Sequence, residues 1–259
     1  MYVIYLLIAL IATILASMIG VGGGLIMVPV LTSINEFSVG TINILASVTG
    51  LVMAIVSTTR QFLNRQKINV KITIFLVVGS ITGSLIGTRV FKGGIKSLGG
   101  NNIVIIEALI LIIALGFILY YVSNKSKYKS KNVKNIGVTI GIGLFTGVIC
   151  SFLGIGGGVL NVPLLQYFFS MDIKEATRNS IFMIVFLQAS KILDVAVIGG
   201  FTSYNLEVLP VMIIGAVVGG LVGTSVSKKI SNRIVNTLFK IVLIGIILIN
   251  VVNIGKIII

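Results

Sequence analysis

The chain has 259 residues, of which 56% are apolar and 10% charged, and its mean hydropathy is +1.16. An ordinary soluble domain carries about 25% charged residues, so too little polar surface is present here for a water-soluble enzyme or a nucleic-acid-binding module. Twenty Lys and Arg against six Asp and Glu give a net charge of +14. The basic residues fall mostly in short gaps between apolar stretches, the bias of a membrane protein rather than of a nucleic-acid partner. The composition describes an all-α polytopic protein whose surroundings are the lipid bilayer of the cell membrane.

Apolar stretches run at 2–34, 38–59, 70–91, 102–123, 136–170, 176–198, 206–227 and 234–255. Six of them match the ~20 residues that a helix needs to cross the hydrocarbon core. The first opens with Tyr2–Ile19, which has no Lys or Arg before it, unlike a cleavable leader with its basic start. It is read as part of the membrane domain. The first and fifth stretches are longer and each is interrupted by glycines. Lys125, Lys127, Lys129, Lys131 and Lys134 mark the one clear linker. The chain thus divides into a first four-segment membrane repeat (1–123), a basic linker (124–135) and a second four-segment repeat (136–259).

The two halves repeat one another. Ser17–Leu31 (SMIGVGGGLIMVPVL) and Ser151–Leu165 (SFLGIGGGVLNVPLL) share eight of fifteen residues. Gly79–Val90 and Gly215–Val226 share six of twelve at an offset of 136, which also pairs Thr41 with Thr177 and Asn43 with Asn179. Chance apolar similarity does not hold glycines and a proline in register. Eight full crossings would scatter basic residues evenly between the two sides. If segments one and five dip in and return, the loops sort as four basic residues against fourteen, with Lys191 and Lys240 inside helices. Charge bias therefore favours inverted repeats, although Tyr2–Ile19 alone is about 27 Å of helix, nearly a full span.

Gly20, Gly22, Gly23 and Gly24, followed by Pro29, interrupt the first stretch; Gly154, Gly156, Gly157 and Gly158, followed by Pro163, interrupt the fifth. Glycine costs about 1 kcal/mol and proline about 3 kcal/mol against alanine in a helix interior, so an unwound stretch is expected at each motif. Backbone freed at membrane depth must be buried in protein or line a cavity. Broken helices at matching places in two repeats point to a transport site, and the half-helices that follow offer unpaired N–H groups to an anion. The competing reading is tight helix packing through glycine.

A GxGGG…P segment opening each of two four-segment halves resembles the sulfite exporter TauE/SafE family, and the resemblance covers essentially the whole chain. It implies a membrane permease for small sulfur-containing anions such as sulfite or sulfonates, with the motif glycines and prolines as site residues. From the residues themselves, alternating access by a secondary transporter stands beside a passive anion channel and a non-transporting assembly factor.

The copies differ in polarity. Asn161 stands opposite Met27, and Gln188, Lys191 and Asp194 replace Val52, Ile55 and Thr58. The second half is expected to supply most contacts to a small anionic substrate. Lys191 and Asp194, three residues apart, either neutralise each other or serve as anion ligand and coupling group. Thr41, Asn43, Thr177 and Asn179 are either ligands from another wall or helix caps. Glu107 is a second coupling candidate or an interfacial carboxylate. Gly79, Gly83 and Gly87, like Gly215, Gly219 and Gly223, form small-residue stripes for close helix contact. The chain has no His and one Cys, Cys150, so no metal and no cofactor is expected, and the few carboxylates form no catalytic pair. A homo-oligomer remains compatible with this composition.

Overall fold

The computed structural model describes residues 2–95, 100–152 and 158–258. Gly154, Gly156 and Gly157 lie outside the described residues, as does the side chain of Glu107. Ten α-helices occupy the described chain: α1 (Tyr2–Ile19), α2 (Gly23–Ile34), α3 (Val39–Leu63), α4 (Val70–Ile95), α5 (Gly100–Ser123), α6 (Ile136–Phe152), α7 (Gly158–Phe168), α8 (Ile173–Ile198), α9 (Leu209–Lys229) and α10 (Asn232–Ile258). Among them, six are long and apolar enough to cross a membrane. Their outer faces carry exposed apolar side chains, such as Ile113, Phe117 and Val197 at 72–83% exposure, where a soluble protein would carry charge.

Local chemistry sets the boundaries. Gly20 takes a φ of +77°, and the N–H groups of Gly20 and Val21 both reach the Ala16 carbonyl, closing α1. Glycine suits this left-handed terminus because it has no Cβ to clash. Asn35, at φ 59°, closes α2 in the same conformation. Ser38 caps α3 by accepting the Thr41 N–H at 3.3 Å, and Asp172 caps α8 by accepting that of Glu175 at 2.8 Å. Capping thus falls to these two residues and not to Thr41, Asn43, Thr177 or Asn179, which lie inside helices.

Hydrogen bonds and ring contacts fix the helix directions. At one end of the bundle the Tyr5 hydroxyl donates to Glu36, Tyr5 packs edge-on to Phe37 at 5.6 Å, and the Tyr2 hydroxyl donates to Glu207. The α1–α2 hairpin therefore starts and finishes at that end. At the opposite end, the Ser227 hydroxyl donates to the Met18 carbonyl at 3.2 Å and Lys174 donates to the Ile230 carbonyl at 3.0 Å. There too the linker lies against the end of α7, through Lys131 N–H to Tyr167 O at 2.7 Å and Val133 N–H to Phe168 O at 2.9 Å. The α6–α7 hairpin starts and finishes at this second, basic end. Partial burial lowers the pKa of Lys125 in the linker, and nearby Asp172 opposes part of that shift.

The two repeats are laced together. α1 packs on α9, its counterpart α6 packs on α4, and α3 crosses α8. Both outer pairs run parallel and approach through small residues. Thr13 and Ser17 on α1 direct hydroxyls to the carbonyls of Gly215 and Gly219 at 3.3 and 3.4 Å. On the other pair, a Cβ on Gly83 would lie 2.1 Å from the Leu144 oxygen and one on Gly147 2.0 Å from the Ser80 oxygen. Gly143 and Gly147 on α6 thus answer the glycine stripe of α4.

These contacts are backbone to backbone, so neither helix can yield by changing a rotamer. Gly83→Leu is expected to cost about 1–3 kcal/mol or more through overpacking, seen as a lower melting temperature by circular dichroism in detergent. Gly116→Leu, where an added Cβ meets nothing within 4 Å, is expected to melt with the parent. Equal melting of the two variants would contradict the α4–α6 register.

Candidate functional site

The first glycine motif meets the start of α7. Gly158, the first residue of α7, sits so close to the first motif that a Cβ on it would lie 2.1 Å from the Gly22 nitrogen and 2.9 Å from the Gly22 Cα. Gly20 is equally confined, with Thr177 Cα at 2.6 Å and Val162 Cγ2 at 3.0 Å from the position of an added Cβ. The Gly20 carbonyl accepts a hydrogen bond from the Ser180 hydroxyl at 2.6 Å, which satisfies one backbone group freed by the break. Gly23 and Gly24 open α2 beside Gly50 of α3. Their nitrogens lie 3.9 Å from the position of a Cβ on Gly50, and the Gln188 amide nitrogen lies 3.4 Å from it. Gln188 thus reaches from α8 to the N-terminus of α2.

Around this junction the polar groups outnumber their partners. Gln188 and Asn161 are each 1% exposed. The Gln188 Oε1 and both amide atoms of Asn161 are buried with no hydrogen-bond partner among the described residues. Leaving such a group without a partner costs about 1–3 kcal/mol. Asn43 Oδ1 is similarly buried and unpartnered. Lys191 and Asp194 follow Gln188 along α8, both half-buried.

Other residues expected at the site are used elsewhere. Asn179 accepts from the Asn69 N–H and the Thr73 hydroxyl, both at 2.8 Å, and donates to the Glu175 carbonyl. It fastens α8 to the start of α4. The Thr41 hydroxyl lies 3.1 Å from Ser38 Oγ at the α3 cap. Pro29 has no N–H to donate to the ladder of α2, and its carbonyl accepts from the Asn253 amide of α10 at 3.1 Å and from the Ser33 hydroxyl at 2.9 Å. Pro163 is buried inside α7.

A cleft of about 250 Å³ opens at the basic end, lined in part by Thr177, whose backbone abuts Gly20. Lys67, Lys174, Arg178 and Lys228 line it, and Gln61, Thr177 and Thr224 form its inner wall. No carboxylate lines it among the described residues. Of these residues only Thr177 stood out in the sequence. Gln61 and Arg178 carried the signal of ordinary interfacial residues at helix ends, and only the packing of α3, α8 and α9 brings them together.

Replacing Gln188 by Met or Asn161 by Val removes the amide with a small change of volume. If these amides bind substrate, each variant is expected to raise the KM for the transported anion about tenfold while melting no lower than the parent, because an unpaired buried amide has been removed. Gly158→Ala is expected to abolish flux in protein that still inserts. Normal flux from it would mean that the two motifs need not touch.

The comparisons with known proteins agree with this architecture. The sulfite exporter TauE/SafE family matches residues 5–250. A relative in Bacillus subtilis (strain 168), described as a probable membrane transporter protein, YunE, is 26% identical over 208 residues, covering 71% of this chain and 74% of the relative. No solved structure matches. A match over nearly the whole chain, with broken helices paired at a polar centre, makes this multi-pass membrane protein a member of the TauE/SafE family of transporters, not an enzyme.

Proposed function

We propose that the protein is a secondary transporter of a small anion, a sulfur oxyanion or short organosulfonate such as sulfite, working by alternating access around the paired glycine breaks. One observation carries this reading: Gly22 abuts Gly158, with the unpaired Gln188 Oε1 and Asn161 amide in the helices beside them. Backbone N–H groups at the start of α2 and neutral amide donors suit an oxyanion, which accepts hydrogen bonds at every oxygen. Lys191, a helical turn beyond Gln188, adds positive charge along the same path. Asp194 and Glu107 are the carboxylates available to couple transport to a proton.

The two repeats are read as inverted, since each broken hairpin returns to the end of the bundle from which it starts. An inverted pair gives alternating access a simple geometry: the same rearrangement, applied to either repeat, opens opposite faces. The basic end then faces the cytoplasm.

Radiolabelled sulfite, thiosulfate and short sulfonates presented to proteoliposomes test the function. Saturable uptake that shows counterflow is expected. Ohmic current without counterflow would replace the transporter with a channel. Topology is tested in a Cys150→Ala background with single cysteines at Ser130 and Ser231. Both are expected to react with an impermeant thiol reagent from the same side; opposite accessibility would overturn the inverted arrangement.

A further inference from the structure

We infer that the cleft at the basic end is an oxyanion-binding site in its own right, an outer chamber separate from the amide centre. The transporter reading gives it a purpose, but its chemistry stands on the residues that line it.

Its inner wall is the first reason. Gln61, Thr177 and Thr224 are only 1–2% exposed, yet Gln61 Oε1, Thr177 Oγ1 and Thr224 Oγ1 have no hydrogen-bond partner among the described residues. Three unpaired polar groups from α3, α8 and α9 converge on one cavity. The two hydroxyls can donate to an oxyanion, while the unpaired Gln61 Oε1 is an acceptor and suits the water that accompanies the anion.

The rim is the second. Four cationic side chains, and no carboxylate among the described residues, line the cleft, so its lining is of one sign and concentrates small anions. The rim is also held in shape. Arg178 donates from Nε to the Lys67 carbonyl at 3.2 Å, which fixes its guanidinium plane. Lys174 donates to the carbonyls of Lys228 and Ile230 at 3.1 and 3.0 Å, and Lys228 donates to Asn64 at 3.3 Å. These bonds tie α8, α9 and the loop after α3 into one frame. A volume of about 250 Å³ suits a small tetrahedral or pyramidal oxyanion with its water.

The third reason is asymmetry. The offset of 136 relates Arg178 to Ile42, Gln61 to Val197 and Lys174 to Ser38. The first repeat therefore has no copy of the guanidinium, the inner amide or this lysine. This combination of groups is assembled at the basic end, and the anion is gathered there before it reaches Gly20 and the centre.

Equilibrium binding of radiolabelled sulfite and sulfate to the purified full chain, in detergent free of anionic lipid, tests the site. Saturable binding is expected, weakened about tenfold by Arg178→Gln and several-fold by Thr224→Val, and unchanged by Lys129→Gln in the linker. Gly158→Ala, which blocks the centre, is expected to retain binding. In proteoliposomes, Arg178→Gln is expected to raise the KM at the basic face only. Absence of saturable binding by any of the probe anions, or equal weakening by Lys129→Gln, would overturn the site. An oxyanion also comes as a lipid headgroup, so phosphatidylglycerol is titrated in parallel. Its binding at the cleft in place of the free anions would likewise overturn the assignment. If the parent binds sulfite at the cleft yet moves none across the bilayer, the transporter reading fails and the site stands. If it transports sulfite and Arg178→Gln changes neither binding nor KM, the site fails and transport stands.

Discussion

Where Gly158 meets Gly22 no side chain separates the two backbones, and the rest of the molecule is arranged around that contact. The break between α1 and α2 frees backbone groups in a chain whose lipid surroundings offer no hydrogen bonds to them. The other repeat supplies what lipid cannot. Ser180 of the second repeat bonds the Gly20 carbonyl of the first, and Gln188 of α8 stands at the opening turn of α2. A break in one half is therefore tolerable because the other half packs against it. The same dependence explains why α1 lies on α9 and α6 on α4: the hairpins must be held by the opposite repeat for their tips to meet.

This lacing separates two kinds of polar residue that look alike in the sequence. Asn179 and Asn253 spend their amides on fastening helices, to Asn69 and Thr73 in one case and to Pro29 and Ser33 in the other. Gln188 Oε1, both amide atoms of Asn161, Gln61 Oε1 and Thr224 Oγ1 are buried as deeply with no partner among the described residues. The first group gives rigidity, and the second gives the chain a polar interior able to exchange one set of partners for another. A transporter needs both, because a site that moves must be bounded by elements that hold their shape.

Much of this was readable from the residues. Apolar length located the helices to within about a turn, and runs of glycine located the breaks, because both are local properties of the chain. The glycine stripe of α4 was visible as well, but not its partner: Gly143 and Gly147 answer it from across the linker, and no local pattern names a partner. The same reason hid the cleft. Gln61, Arg178 and Thr224 come from three helices in two repeats, each unremarkable alone. Asn179, by its place in the repeat either a ligand or a helix cap, bonds Asn69 and Thr73 at the start of a helix remote in sequence and so acts as a fastener.

The pairing of α1 with α9 also governs the order in which the protein can be built. Ser17 leaves the ribosome 202 residues before Gly219, the carbonyl it bonds. At five to twenty residues per second, roughly ten to forty seconds separate the two. For that interval the first hairpin sits in the membrane with an open glycine break and no opposite repeat to cover it. The inserting machinery, or the wall of the insertion channel, has to shelter the break until the second half arrives. Biogenesis of this chain is thus a problem of waiting, and the duplicated halves reach their final form together.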